Sequence, residues 1–367
     1  MGGTSCGLLI QTAAGTTLAV SADGSRTPLG VAGLKALVRS WEHRSRIPKR
    51  ERDMNPDQSE ARTWTELAFE VARKFPTAVH VMDREADCFT LFARLMGAGL
   101  RFVVRLGRDK KLLDSDEKLF ATAARADVMA VRSVPLSFRA RRSMAGNRHQ
   151  HPAREERLAK LQIRAGAFTL PRPHRPRYAT GYPESLSVNV ITVVEIDVPA
   201  GDEPVCWRLI TTEPIETPAQ VEAIVDAYRA RWRVEEFFKA LKTGCAFEKR
   251  QLESLRTLVN ALAVFSVIAW RLLVLRSVAR TAPQAPATDA LTDEQVRVLQ
   301  ALSTMRGPGV PQIRMPANPT AGDALLAVAS LGGHIKNNGP PGWLTLGRGY
   351  DSLLLLQLGW QARASAR

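Results

Sequence analysis

The sequence predicts an α/β fold: a mixed sheet with helices, interrupted by a β-rich insertion and followed by an α-helical C-terminal part. Three observations predict it. Residues 78–106 run strand, helix, strand; residues 107–217 are short strand-like runs broken by Pro and Arg; and from Pro218 apolar residues recur at helical spacing. The chain thus divides at 1–106, 107–217, 218–280, a Pro/Ala/Thr-rich linker at 281–291, and 292–367. At 367 residues it exceeds what one core usually serves, so one elaborated domain or two smaller ones are expected.

In chain order, residues 6–13 and 16–22 flank Gly15 as the strands of a hairpin would. Past a charged stretch from Trp41 to Asp57, residues 59–74 place Trp64, Leu67, Ala68, Val71 and Ala72 on one helical stripe that Phe75-Pro76 ends. The apolar run 78–82 reads as a strand with Asp83 directly at its end. Residues 87–96 read as a helix stopped by Gly97 and Gly99, and 100–106 as a strand, so the pair favours parallel alignment. Strand-like runs follow at 131–138, 159–163 and 186–198. Residues 139–177 are dense in arginine, as a nucleic-acid-facing loop or a disordered basic tract would be. Helices are predicted at 218–242, with Val221, Ile224, Val225, Trp232 and Phe238 available to a core, and at 254–280, 324–331 and 350–358.

Fifty-one Lys+Arg against 36 Asp+Glu leave a net charge of +15, which points to a polyanionic partner, nucleic acid first. The charge is spread along the chain rather than gathered on one amphipathic helix, which disfavours a membrane surface. Cys6, Cys88, Cys206 and Cys245 form no CxxC and suggest neither zinc nor a disulfide framework. No charged-then-apolar leader follows Met1, so a cytoplasmic, nucleoid-associated location is expected. The longest apolar stretch, 258–270, is short of a membrane span and reads as a buried helix.

Tyr228, Arg231, Glu235, Lys239 and Lys242 fall three, four, four and three apart, on one face of the 218–242 helix. A carboxylate ringed by cations suits phosphate chemistry. The same spacing would equally make a solvated stripe of i,i+4 ion pairs worth about 0.2–0.5 kcal/mol each. Asp83 stands where open α/β sheets display reactive groups, and where a helix N-cap would also put an aspartate. Two-metal phosphodiester chemistry needs several carboxylates converging from different elements, and Asp83 with Glu235 fits part of that need.

Asp-Arg-Glu-Ala-Asp at 83–87, Arg101-Phe-Val-Val-Arg105, Trp207 followed by Thr-Thr-Glu-Pro-Ile, and Tyr-x2-Arg-x3-Glu-x6-Lys ending at Lys242 resemble the DDE transposases of the insertion-sequence family four. Ser330-Leu-Gly-Gly and Pro341-Gly-Trp are similar to that family's last domain. The resemblance implies an RNase H-like catalytic core acting on double-stranded DNA at transposon ends by a cut-and-paste route, as a homodimer in the synaptic complex. It implies that Asp83 is the second catalytic aspartate and Glu235 the catalytic glutamate, both Mg²⁺ ligands. Tyr228, Arg231 and Lys242 match phosphate contacts, and Lys239 and Arg105 look like further ones. Trp207 matches a tryptophan that packs against a flipped base. Each has a plainer reading: Trp207 as a strand core residue with Val205 and Leu209, Tyr228 as a packed ring with a wet hydroxyl, and Arg105 as a surface strand residue.

The family's first aspartate, at the end of the first core strand, has no counterpart here. Asp23 lies in an Ala-Asp-Gly-Ser context that reads as a turn. The family's N-terminal DNA-binding segment is also unmatched. The expectation is therefore an N-terminally truncated transposase catalytic region with its first core strand missing and an incomplete Mg²⁺ site, inactive alone. The alternative is a non-catalytic product that binds DNA or dimerises and inhibits an intact transposase.

Overall fold

The hairpin predicted at the start is present as β1 (Leu8–Ala13) and β2 (Thr16–Ser21), in antiparallel register from Leu8↔Ser21 to Ala13↔Thr16. The structure is a computed structural model and describes residues 8–13, 16–21, 26–35, 60–136, 154–174, 181–305, 307, 312–335 and 339–365. The stretch from Trp41 to Asp57, Asp23 and Cys6 lie outside them. The chain is mixed α/β with nine strands among the described residues, and forms two compact units, one from 1–36 with 230–367 and one from 37–229.

In the first unit β3 (Pro28–Leu34) pairs antiparallel with β2. Its proline stands at the first strand position, where the missing N–H costs no ladder bond. The helices of this unit are α5 (Trp232–Lys239), α6 (Leu255–Thr281), α7 (Asp293–Thr304), α8 (Ala321–Leu331) and α9 (Trp343–Ser365). Thr292 with Gln295 and Thr320 with Asp323 form reciprocal capping boxes that fix the starts of α7 and α8. Trp270 of α6 donates its indole N–H to the Pro28 carbonyl at 3.0 Å.

Helix α6 corrects the expectation of a buried apolar helix. Its C-terminal half buries Leu272, Leu273 and Leu275, but Val264 is 60 % and Val267 54 % exposed. The helix is long and apolar enough to cross a membrane by length and composition, with a third of its most apolar stretch buried. Its apolar character continues past the buried half, so hydropathy alone could not show where burial stops.

The second unit holds α1 (Glu60–Ala72), β4 (Val79–Met82), α2 (Phe89–Gly97), β5 (Arg101–Arg105), α3 (Leu119–Ala123), β6 (Val128–Leu136), β7 (Arg157–Pro171), β8 (Ser185–Ile196), β9 (Cys206–Thr211) and α4 (Pro218–Ala230). Strands β4 and β5 are parallel, Val79↔Arg101 to Met82↔Val104, as the βαβ pattern predicts. The order continues β5-β9-β8-β7-β6 through antiparallel pairs. Under the first strands sits a core containing Trp64, Phe92, Phe102 and Leu106, with the Phe92 and Phe102 rings stacked 5.7 Å apart.

Strand β7 is far longer than the apolar run at 159–163. Buried Ala159, Leu161, Ile163 and Ala165 alternate with outward Lys160, Gln162 and Arg164, and that polar face masks the strand's length. Of the arginine-dense tract, residues 139–153 and 175–177 lie outside the described residues. Within the rest, neither the loop nor the disordered reading holds, because the arginines are spent on internal partners. Arg157 pairs with Glu195 at 2.9 Å and with Asp202, Arg164 donates to the Ala126 carbonyl at 2.6 Å, and Arg172 to the Tyr182 carbonyl at 2.9 Å. Burial pushes the Glu195 carboxyl up, but the Arg157 hydrogen bond and charge, with the Val205 amide, hold it below the ordinary carboxylate range.

Candidate active site

Asp83 follows β4 directly, with extended backbone (φ −80°, ψ 176°), and its carbonyl accepts the Ala86 N–H at 3.0 Å. It occupies the N-cap position of a single 3₁₀ turn, Arg84–Ala86, but its side chain makes no capping hydrogen bond. Helix capping therefore does not account for this half-buried carboxylate. Since Met82 is level with Val104, Asp83 comes level with Arg105 at the C-terminal ends of two parallel strands, the edge where α/β sheets place ligands.

A second acid organises this edge. Asp87 Oδ2 accepts the backbone N–H groups of Gly107 and Arg108, each at 2.9 Å, and Oδ1 pairs with Lys110. Its side chain is 2 % exposed. The turn after β4 is thereby tied to the segment after β5, and the approach is close: a Cβ at Gly107 would stand 3.3 Å from that of Arg84. The sequence reading places Asp87 only as the first residue of the helix expected over 87–96 and gives it no further role. What could have identified it is an acid four residues past a strand-end acid, with Gly-Arg-Asp-Lys after the next parallel strand. Asp87→Ala is expected to cost about 2 kcal/mol in urea unfolding by removing the charge-assisted hydrogen bonds from Gly107 and Arg108, and Asp87→Asn clearly less.

On β9, Trp207 is half-buried and meets Tyr228 edge-to-face, ring centroids 5.7 Å apart. Its strand neighbour Leu209 is fully buried, so Trp207 stands at the edge of the core rather than within it. Tyr228 on α4 is 6 % exposed. Arg208, on the opposite face of β9, lies 4.2 Å over the Phe120 ring.

The single helix expected over 218–242 is three segments: α4, a turn at Arg231, then α5 running into a π-turn at Ala240–Gly244. The restart rotates the buried face. Val234 and Phe237 point inward, while Trp232, expected in the core, is 58 % exposed. Arg231, 11 % exposed in its side chain, pairs with Glu235 at 3.2 Å, and Glu235 keeps 39 % exposure. The adjacent Glu236 is held by Arg233 at 2.8 Å and Arg280 at 3.2 Å and is 12 % exposed. Of the two glutamates, Glu235 is the open one. The Lys239 ammonium sits 5.1 Å from the Trp232 ring centroid, and Lys242 pairs with Glu248 at 3.0 Å on the surface.

Asp83, Arg105, Trp207 and Tyr228 thus belong to one unit, and Arg231, Glu235, Lys239 and Lys242 to the other. Within each, the structure brings Trp207 to Tyr228, and Arg231 to Glu235. Among the described residues no group of three or more His, Cys, Asp or Glu side chains converges as a metal cage would need.

A family model described as the transposase DDE domain matches residues 53–270, more than half of the chain, and the chain belongs to that family. The match spans Asp83, the β-rich segment and the helices carrying Tyr228 to Lys242. Membership implies a DNA substrate, and domains of this kind use divalent metals.

Proposed function

We propose that this chain is the catalytic region of a cut-and-paste DNA transposase of the insertion-sequence family four type, cleaving and joining strands at transposon ends. The observation that carries the reading is Asp83, a carboxylate directly after β4 at the edge where α/β sheets place ligands, within a match that also covers the open Glu235. Asp83 and Glu235 have the donor chemistry for Mg²⁺, but two carboxylates do not make the convergent set that two ions require. The chain's own residues do the rest. Arg231 pairs with Glu235, Lys239, Lys242 and Arg105 offer cations to the DNA backbone, and Trp207 beside Tyr228 offers an aromatic ring to a base. Action on DNA fits a cytoplasmic, nucleoid-associated location.

The first aspartate of such a site has no counterpart among these 367 residues. Purified as it stands, the chain is expected to show no Mg²⁺-dependent nicking of transposon-end DNA. Fusing an Asp-bearing strand read in frame from the upstream DNA is expected to restore nicking, and Glu235→Ala to abolish it. Robust nicking by residues 1–367 alone, lost in Glu235→Ala, would overturn the missing-acid reading. The same missing carboxylate favours a second reading, a non-catalytic chain that binds DNA or dimerises and inhibits an intact transposase. That reading is supported if adding the chain suppresses the restored enzyme.

A further inference from the structure

A cleft of about 680 Å³ opens beside the turn that follows Asp83, between that turn, the segment after β5 and the end of β7. Single-ligand sites commonly enclose roughly 300–1,000 Å³. Phe89, Phe92, Leu170 and Pro171 contribute to an apolar lining, and charged side chains make up half of the residues around the cleft. Two of the three acids there are already engaged: Asp87 by Gly107, Arg108 and Lys110, and Asp109 by the backbone N–H groups of Lys110 at 3.0 Å and Phe120 at 2.9 Å. Glu85 is the third. Arg108 and Lys111 line the cleft with exposed side chains, while Arg172 is held by the Tyr182 carbonyl, so two unengaged cations stand against Glu85. The open charge is therefore positive.

We infer that this cleft binds a single-stranded segment of DNA, its phosphates on Arg108 and Lys111 and an unstacked base against the apolar lining. The inference rests on the transposase reading for its ligand. Cations beside apolar surface are the combination that unpaired strands use, because each nucleotide offers both a phosphate and a bare base face. A duplex, its bases stacked, has no use for the apolar lining. The cleft's place next to Asp83 suits a strand freed by cleavage.

Two measurements on the full chain test this. In fluorescence anisotropy with a labelled single-stranded oligonucleotide and its duplex, Lys111→Glu is expected to weaken single-strand binding about tenfold and duplex binding less than about twofold. Arg297→Glu, the same charge change at an exposed position on α7, is expected to weaken both equally and slightly. Cys88, which lines the cleft, supplies a readout without any variant. Its alkylation, followed by peptide mass spectrometry, is expected to slow with saturating single strand and not with duplex or mononucleotide. Equal loss of single-strand binding in the two variants, or alkylation of Cys88 unchanged by single strand, overturns the assignment; protection by mononucleotide as strong as by single strand overturns the strand as ligand. Neither measurement uses cleavage, so failure of the strand-restored fusion to nick, with Cys88 protected, would count against the transposase reading alone.

Discussion

Gly349→Ala is expected to disrupt the packing of the C-terminal helices, whereas Gly359→Ala, ten residues along the same helix, is expected to leave the protein as stable or more so. A Cβ built at Gly349 would stand 1.8 Å from the Val328 carbonyl oxygen on α8 and 3.0 Å from the Gly332 nitrogen. The contact recurs around it: a Cβ at Gly332 would meet the Thr345 carbonyl at 1.9 Å, and one at Gly347 the Gly244 carbonyl at 2.0 Å. Each obstacle is backbone, which cannot swing aside as a side chain tip would. Alanine's helix propensity favours the substitution by about 1 kcal/mol, but relieving such overlap means prying two helices apart, at a cost of at least about 3 kcal/mol. At Gly359 no atom lies within 4 Å, so only the propensity gain remains. Urea unfolding of the two variants gives opposite signs on this account; a loss below about 1 kcal/mol for Gly349→Ala would refute it. The consequence reaches the candidate site, because Gly244 closes the π-turn that carries Lys242. Gly347→Ala should shift that turn as well as lower stability.

These glycines show where sequence reading stops. Ser330-Leu-Gly-Gly and Pro341-Gly-Trp are visible as motifs, but a motif does not say which backbone its glycine lets approach. The parallel β4–β5 pair was legible because strand, helix and strand follow one another without interruption, and Asp83 was legible because it ends an apolar run. Glu235 was legible only as a face. That it, and not Glu236, is the open carboxylate depends on Arg280, forty-four residues further on. The restart at Arg231 was hidden because the residues around it are all acceptable in a helix, so nothing local announced the rotation that exposes Trp232. The roles of Asp87 and of the β7 arginines were hidden for a common reason. Their partners (Gly107, Glu195 and the Ala126 carbonyl) are brought to them by sheet register, which no single segment encodes.

Acidification is expected to weaken the fold through His80, between pH 6.5 and about 4. This histidine lies on β4 between Val79 and Val81, is fully buried, and neither ring nitrogen has a hydrogen-bond partner among the described residues. Burial disfavours the imidazolium and pushes its pKa down from 6.5 to about 4. Above pH 6.5 the ring is neutral in folded and unfolded chains alike and contributes no pH dependence. As pH falls from 6.5 to about 4 the unfolded chain takes up a proton that the folded chain refuses, so stability drops; below about 4 both forms bind it and the loss levels off. At about 1.4 kcal/mol per unit the full loss is about 3 kcal/mol, a large share of the margin of a typical domain. His80→Leu, close in size and without a titratable group, removes this component. Its unfolding free energy measured by urea titration at pH 7 and pH 4 should fall by about 3 kcal/mol less than that of the parent chain. Equal losses in the two proteins would mean that the His80 proton plays no part and that the acid sensitivity belongs to the paired carboxylates, Glu195 first among them.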